Sequence, residues 1–116
     1  MAEPVYKVLS EAAFEQAWLQ GQFHGSADDV RDGFIHLSAG HQLEGTLASH
    51  FAGQEGLVLV ALDAARLGPA LKWEPSRGGA LFPHLYAPLD LAAVVWVEPL
   101  KLGADARHVL PEGVFA

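Results

Sequence analysis

Cysteine is absent from the 116 residues, which removes disulfides, thiolate metal sites and a thiol nucleophile together. Any argument for an oxidising compartment goes with it. Basic residues are scarce, with seven Lys and Arg against fourteen Asp and Glu and a formal net charge of −7. They stand singly, as Lys7, Arg31, Arg66, Lys72, Arg77, Lys101 and Arg107, whereas a phosphate backbone is bound by clustered cations. The overall field therefore opposes nucleic acid and anionic membrane. A small anion met by one arginine or by backbone amides stays open. The longest apolar run, Leu89 to Val97, is broken by Asp90 and falls far short of a membrane span. Met1-Ala2-Glu3-Pro4 carries neither the basic patch nor the apolar stretch of a signal. The expectation is a cytoplasmic protein with no nucleic-acid and no membrane partner.

Several motifs are missing as well. There is no G-x-G-x-x-G after the first strand and no P-loop. H-E-x-x-H and the G-x-S-x-G elbow of a serine hydrolase are also absent. Six histidines are available, His24, His36, His41, His50, His84 and His108, but His41 and His50 do not fall one turn apart on a helix. No metal is expected, and a metal-assisted hydrolase assembled from separate segments remains an alternative.

What is present is a composition of 51% hydrophobic and 18% charged residues, which suits one folded domain over 1–116. Val5 to Leu9 has strand composition. Ser10 is a good N-cap for a helix with Phe14, Ala17 and Trp18 on its apolar face and Gly21 as its stop. A polar loop to Gly33 holds a short helical turn around Ala27 to Val30. Phe34 to Ser38 reads as a strand. A second helix over about Gly40 to Phe51 places Leu43, Thr46, Leu47, His50 and Phe51 on one face. Leu57 to Leu62 reads as a central strand covered on both faces. Asp63 to Leu67 is a turn or short helix, Leu71 to Glu74 a short strand, and Pro75 to Gly79 an exposed loop. Ala92 to Glu98 reads as a second buried strand. The sum is an α+β fold of small split β-sheets with two amphipathic helices.

Two histidine segments carry the chemistry. In a strand, Phe34, His36 and Ser38 share one face, a polar notch on an otherwise apolar surface. A half-buried histidine satisfied by a backbone carbonyl, with Ser38 capping the next helix, is the structural alternative. In Phe82-Pro83-His84-Leu85-Tyr86, proline fixes its own φ and restricts Phe82, which holds His84 in one orientation. Lys72-Trp73-Glu74 is a third candidate. If Lys72 and Glu74 share a face, Trp73 packs inward and Glu74 points into the loop that leads to His84.

Taken in order, Gly33-Phe34-Ile35-His36-Leu37-Ser38, Gln42-Leu43, Leu57-Val58-Leu59, Trp73-Glu74 and Phe82-Pro83-His84-Leu85-Tyr86 resemble the bacterial family known as domain of unknown function nine hundred fifty-two. The resemblance runs from Tyr6 to Pro99. That family is similar in fold to ADP-ribosyltransferases, in which split sheets clasp NAD. The resemblance implies that His36 meets a ribose and that His84 or Tyr86 lies near the nicotinamide. It also implies a third, acidic residue that polarises a ribose hydroxyl; here the sequence departs from the pattern, with Glu74 and Glu98 as the candidates and neither in a recognisable motif. The expected function is binding of, or action on, NAD or an ADP-ribosylated small molecule. In that reading His36, His84 and Glu74 are catalytic, while Ser38, Arg77 and Tyr86 contact the nucleotide. A non-catalytic small-molecule or protein-binding module using the same notch is the alternative, and oligomeric state stays open.

Overall fold

The computed structural model describes residues 3–114. Strand β1 (Val5–Ser10) runs antiparallel to β5 (Leu57–Leu62), with Val5 opposite Leu62 and Ser10 opposite Leu57. On the other edge of β1 lies the short β4 (Ser38–Ala39). Beyond β5 lies β9 (Val94–Leu102), followed by β10 (His108–Val109). The result is a five-stranded antiparallel sheet in the order β10-β9-β5-β1-β4.

Successive side chains point to opposite faces of a strand, and here they feed two separate cores. Val5, Leu9, Val58, Val60 and Leu62 pack with Ile35, Leu37, Leu85 and Leu89. Tyr6, Val8, Leu57, Leu59 and Ala61 pack on the opposite side with Leu43, Leu47 and Leu100. β5 is buried at every position, as its unbroken apolar run predicts. Each such Leu or Val side chain contributes about 1.5–3 kcal/mol by burial. By the same alternation Lys7 falls on the Val5–Leu9 face, and it too is buried.

Helix α1 (Glu11–Gln20) begins where Ser10 Oγ accepts the Ala13 amide at 3.1 Å and ends at Gly21 in the left-handed region. Ala17 is its buried residue, whereas Trp18 is 62% exposed, contrary to the expected apolar face. Strand β2 (Gln22–Phe23) pairs with β8 (Leu89–Asp90). Helix α2 (Ala27–Asp32) leads through Gly33, at φ 84°, into β3 (Ile35–His36). β3 pairs with β7 (Leu81–Leu85), which pairs with β6 (Leu71–Pro75), and these form a three-stranded antiparallel sheet. Helices α3 (Leu43–His50) and α4 (Ala64–Leu67) complete the architecture.

Several expectations are corrected. Phe34 to Ser38 is not one strand: β3 belongs to the three-stranded sheet and β4 to the five-stranded one. The Leu37 amide, between them, donates to the Pro83 carbonyl at 3.0 Å. The α+β class holds, and the short helical segments expected around Ala27 to Val30 and Asp63 to Leu67 are helices α2 and α4. The strand expected over Ala92 to Glu98 starts at Val94, after a helical turn over Leu91–Ala93, and is mostly half-buried or exposed. His50 is exposed rather than on the inner face of α3. Among the described residues, no helix is long and apolar enough to cross a membrane.

Candidate functional site

The site grows from the pairing of β3 with β7, in which His36 and His84 are direct Cα partners. Side chains opposite each other on one face of an antiparallel pair are neighbours, and the two imidazole centroids lie 5.8 Å apart. Phe34 serves both: its ring stacks on His84 at 4.0 Å and lies 4.6 Å from His36.

His36 is held by α2. Ser26 caps this helix, accepting the Asp29 amide at 3.3 Å while Asp29 Oδ2 accepts the Ser26 amide at 2.9 Å. This capping box leaves Asp29 Oδ1 facing β3, where it accepts the His36 amide at 3.0 Å and Nδ1 at 2.7 Å. One turn on, Asp32 Oδ2 lies 3.0 Å from His36 Nε2. Lys7 completes the cluster from β1, its ammonium 3.0 Å from Asp29 Oδ2 and donating to the His36 carbonyl at 3.0 Å. Gly25 is required beside this cluster: a Cβ there would lie 2.9 Å from Asp29 Cβ, at a φ of +116°. Burial pushes the Asp29 carboxyl up, but the Lys7 ammonium and the Ser26 and His36 donors outweigh it and hold the group below the ordinary aspartate value.

His84 is held from β6. Its Nδ1 lies 2.9 Å from Glu74 Oε1, which also accepts the Tyr86 hydroxyl at 2.6 Å. Those two hydrogen bonds, Tyr86 first, keep the Glu74 carboxyl below its ordinary range, and Glu74 in turn raises the Tyr86 phenol. A carboxylate can only accept, so His84 Nδ1 carries a hydrogen toward Glu74, and Nε2 is the ring nitrogen left for the cavity. Among the described residues nothing bonds that Nε2.

Both histidines line one cavity of about 380 Å³, together with Lys7, Asp29, Asp32 and Ser38. Ser38 does not cap the helix after it; its hydroxyl lies 2.8 Å from Thr46 Oγ1, and Gln42 Oε1 accepts the Ala39 amide instead. Glu74 and Tyr86 are not on the cavity wall and reach it through His84. Glu98 is exposed on β9 in the other sheet and joins neither histidine. Trp73, expected to pack inward, is 47% exposed, since Glu74 is the side chain drawn to His84. Arg77 lies in the turn over Arg77–Gly79, and its side chain falls outside the described part of the structure. Among the described residues no three His, Asp or Glu side chains converge in a manner that would hold a metal ion.

Three residues of this site were missed from sequence: Lys7, Asp29 and Asp32. Signals existed for each. Lys7 interrupts an apolar strand, Ser26 to Asp29 has capping-box spacing, and Asp32 precedes His36 by four.

The architecture is thus an α+β domain of antiparallel sheets with a two-histidine cavity beside the junction of two of them. The chain belongs to the family described as protein of unknown function (DUF952), whose model matches residues 8–97. It is similar to protein CC0527 from Caulobacter crescentus: the X-ray structure is 50% identical, covers 97% of this chain and 99% of that one, and superposes with a TM-score of 0.92. The solution structure of CC0527 is 54% identical over 90% of each chain, with a TM-score of 0.81. No curated protein matches the chain.

Proposed function

We propose that the cavity is a binding site for a nicotinamide nucleotide, NAD or an ADP-ribosylated small molecule, in an ADP-ribosyltransferase-like domain. The observation that carries this reading is the in-register pair of His36 and His84 on one cavity wall. A volume of about 380 Å³ lies at the small end of the roughly 300–1,000 Å³ typical of ligand pockets. Ser38 and His84 offer groups suited to ribose hydroxyls, His36 fixes the α2 wall, and Tyr86 orients Glu74. Arg77, by its place in the chain, is the candidate for a phosphate.

A second reading, glycosyl transfer rather than binding alone, is favoured by the Glu74–His84 pair. A histidine oriented by a carboxylate, with its other nitrogen free, has the form of a general base. Glu74 then acts as a positioning residue, because His84 stands between it and the cavity.

Melting in the presence of NAD tests the first reading. At about a hundred times its Kd a ligand should stabilise the fold by about 2.7 kcal/mol, and His84→Ala should weaken that binding by about 1–3 kcal/mol. His84 is itself buried and stacked, so the variant is also expected to melt lower. Affinity measured below its melting point is therefore the deciding quantity. NAD and ADP-ribose that leave the melting temperature unmoved at millimolar concentration refute the proposal. For the second reading, Glu74→Gln should lower the rate of NAD cleavage more than NAD affinity; equal effects on both would favour plain binding.

A further inference from the structure

The two edges of the five-stranded sheet differ in what guards them. At one end β4 has only two residues and adjoins the cavity through Ser38. At the other end β10 pairs with Lys101 and Leu102 alone. Along residues 94–100, β9 therefore has no strand on its outer side among the described residues. Soluble proteins blunt such edges with charge, proline or a very short strand. Here the edge opens with Val94-Val95-Trp96-Val97, uncharged and made of β-branched and aromatic side chains, and only Glu98-Pro99 interrupts it.

A second observation falls on the same side of the molecule. By alternation Val95 and Val97 lie on the face of β9 toward α1, away from Trp96, whose ring meets Tyr6 on the other face. Between α1 and β9 runs an apolar groove lined by Phe14, Trp18, Leu19 and Val97, with Glu15 its one charged residue. Trp18, Leu19 and Val95 are 62%, 81% and 60% exposed. Apolar side chains gathered in this way mark an interaction surface. The acidic excess of the chain opposes an anionic membrane there, and open backbone groups call for a strand. The whole chain exposes 6819 Å², about 700 Å² more than expected of a folded monomer of 12.4 kDa. That excess is close to the roughly 800 Å² that each partner gives to an interface of standard size.

We infer that β9 is a dimerisation edge, at which two copies of the chain pair their β9 strands antiparallel about a two-fold axis. A second copy supplies both missing partners at once, a strand for the open backbone groups and an apolar face for the groove. With the axis normal to the sheet, both α1 helices stay on one face, so Trp18 and Leu19 of the two copies meet across it. The joined sheet has only the two short β4 strands at its outer edges, so the assembly closes as a dimer. The cavities adjoin those outer ends and remain open, which makes the inference independent of what they bind.

Sedimentation velocity on the full chain provides the test. The mass should rise from 12.4 kDa toward twice that value between micromolar and millimolar concentration. Salt should favour the dimer, because two chains of charge −7 repel and salt screens that repulsion. Amides of residues 94–98 should exchange more slowly in the concentrated sample. Leu19→Lys on α1 and Val95→Lys on β9 alter exposed side chains and should leave the urea midpoint within error of the parent. Each should raise the dimer Kd by roughly tenfold or more. Both lower the acidic charge, so a lost dimer could not be blamed on repulsion between copies. Leu81→Lys, at an exposed position of the three-stranded sheet, should leave the Kd unchanged. A chain that stays at 12.4 kDa up to millimolar concentration overturns the inference. So does a dimer that both Leu19→Lys and Val95→Lys leave intact, or a doubled mass with no slowing of exchange at residues 94–98.

Discussion

A carboxylate that is 3% exposed persists as an anion only through the donors around it. Asp29 gathers Lys7, the Ser26 amide and two groups of His36. Its removal therefore exceeds the loss of one contact. In Asp29→Asn the shape is kept but Lys7 is left as a buried charge without a counter-ion, and breaking one side of a buried pair costs about 3–5 kcal/mol. The expected result is a lower urea midpoint with an unchanged slope. A midpoint within error of the parent would show that water, not Asp29, compensates Lys7. At this scale the sequence was half legible. His36 and His84 were recognisable because a histidine between apolar neighbours has few reasons to be there. Asp29 and Asp32 were harder to read, because aspartates in a loop are usually solvated and their spacing signals are weak until Lys7 meets Asp29 and His36 meets both.

Helix α2 has six residues, too few to be stable by propensity alone. The Ser26 capping box and the left-handed Gly33 hold its ends, while Asp29 and Asp32 tie it to His36. It is the element on which the cavity wall depends and also one of the least extensively packed. Ser26→Ala removes a cap, for which the usual cost is about 0.5–2 kcal/mol. The effect should be local: amides within 27–33 should exchange faster while those of β5 keep their protection. Uniform acceleration across the chain would mean that α2 is part of the global core and not a separately opening unit. Elements with one strong signal were readable in advance, as with Ser10 and Gly21 bounding α1 or the apolar run of β5. The split of Phe34 to Ser38 between two sheets was not, because alternation fixes the face of a side chain and says nothing about which strand lies alongside. That choice is made by β7, whose Pro83 carbonyl takes the Leu37 amide.

Across the whole molecule the acidic excess, −7 in formal charge, makes pH the most informative variable. The folded Asp29 carboxyl titrates below its ordinary value, and an unfolded aspartate titrates near about 3.9. A group depressed in the folded state contributes stability that is present above the unfolded value and disappears as pH falls through the folded one. Protonating Asp29 also strips Lys7 of its counter-ion in the core, so the acid limb carries both losses. Asp32 and Glu74 shift in the same direction, but their exposure leaves them little weight. General acid expansion from accumulated positive charge acts on any variant of this chain, which makes the parent curve alone ambiguous. Asp29→Asn removes that ambiguity, since it differs from the parent by a single charge and lacks the one titration. The stability difference between parent and Asp29→Asn should be constant from neutral pH down to about pH 5 and shrink steadily below it, as the parent loses what the variant never had. Urea midpoints measured for both proteins at each pH give that difference directly. If it stayed constant to the lowest pH at which both still fold, the Asp29 titration would not be coupled to folding, and the buried Lys7–Asp29–His36 cluster would have to be held by shape and not by charge.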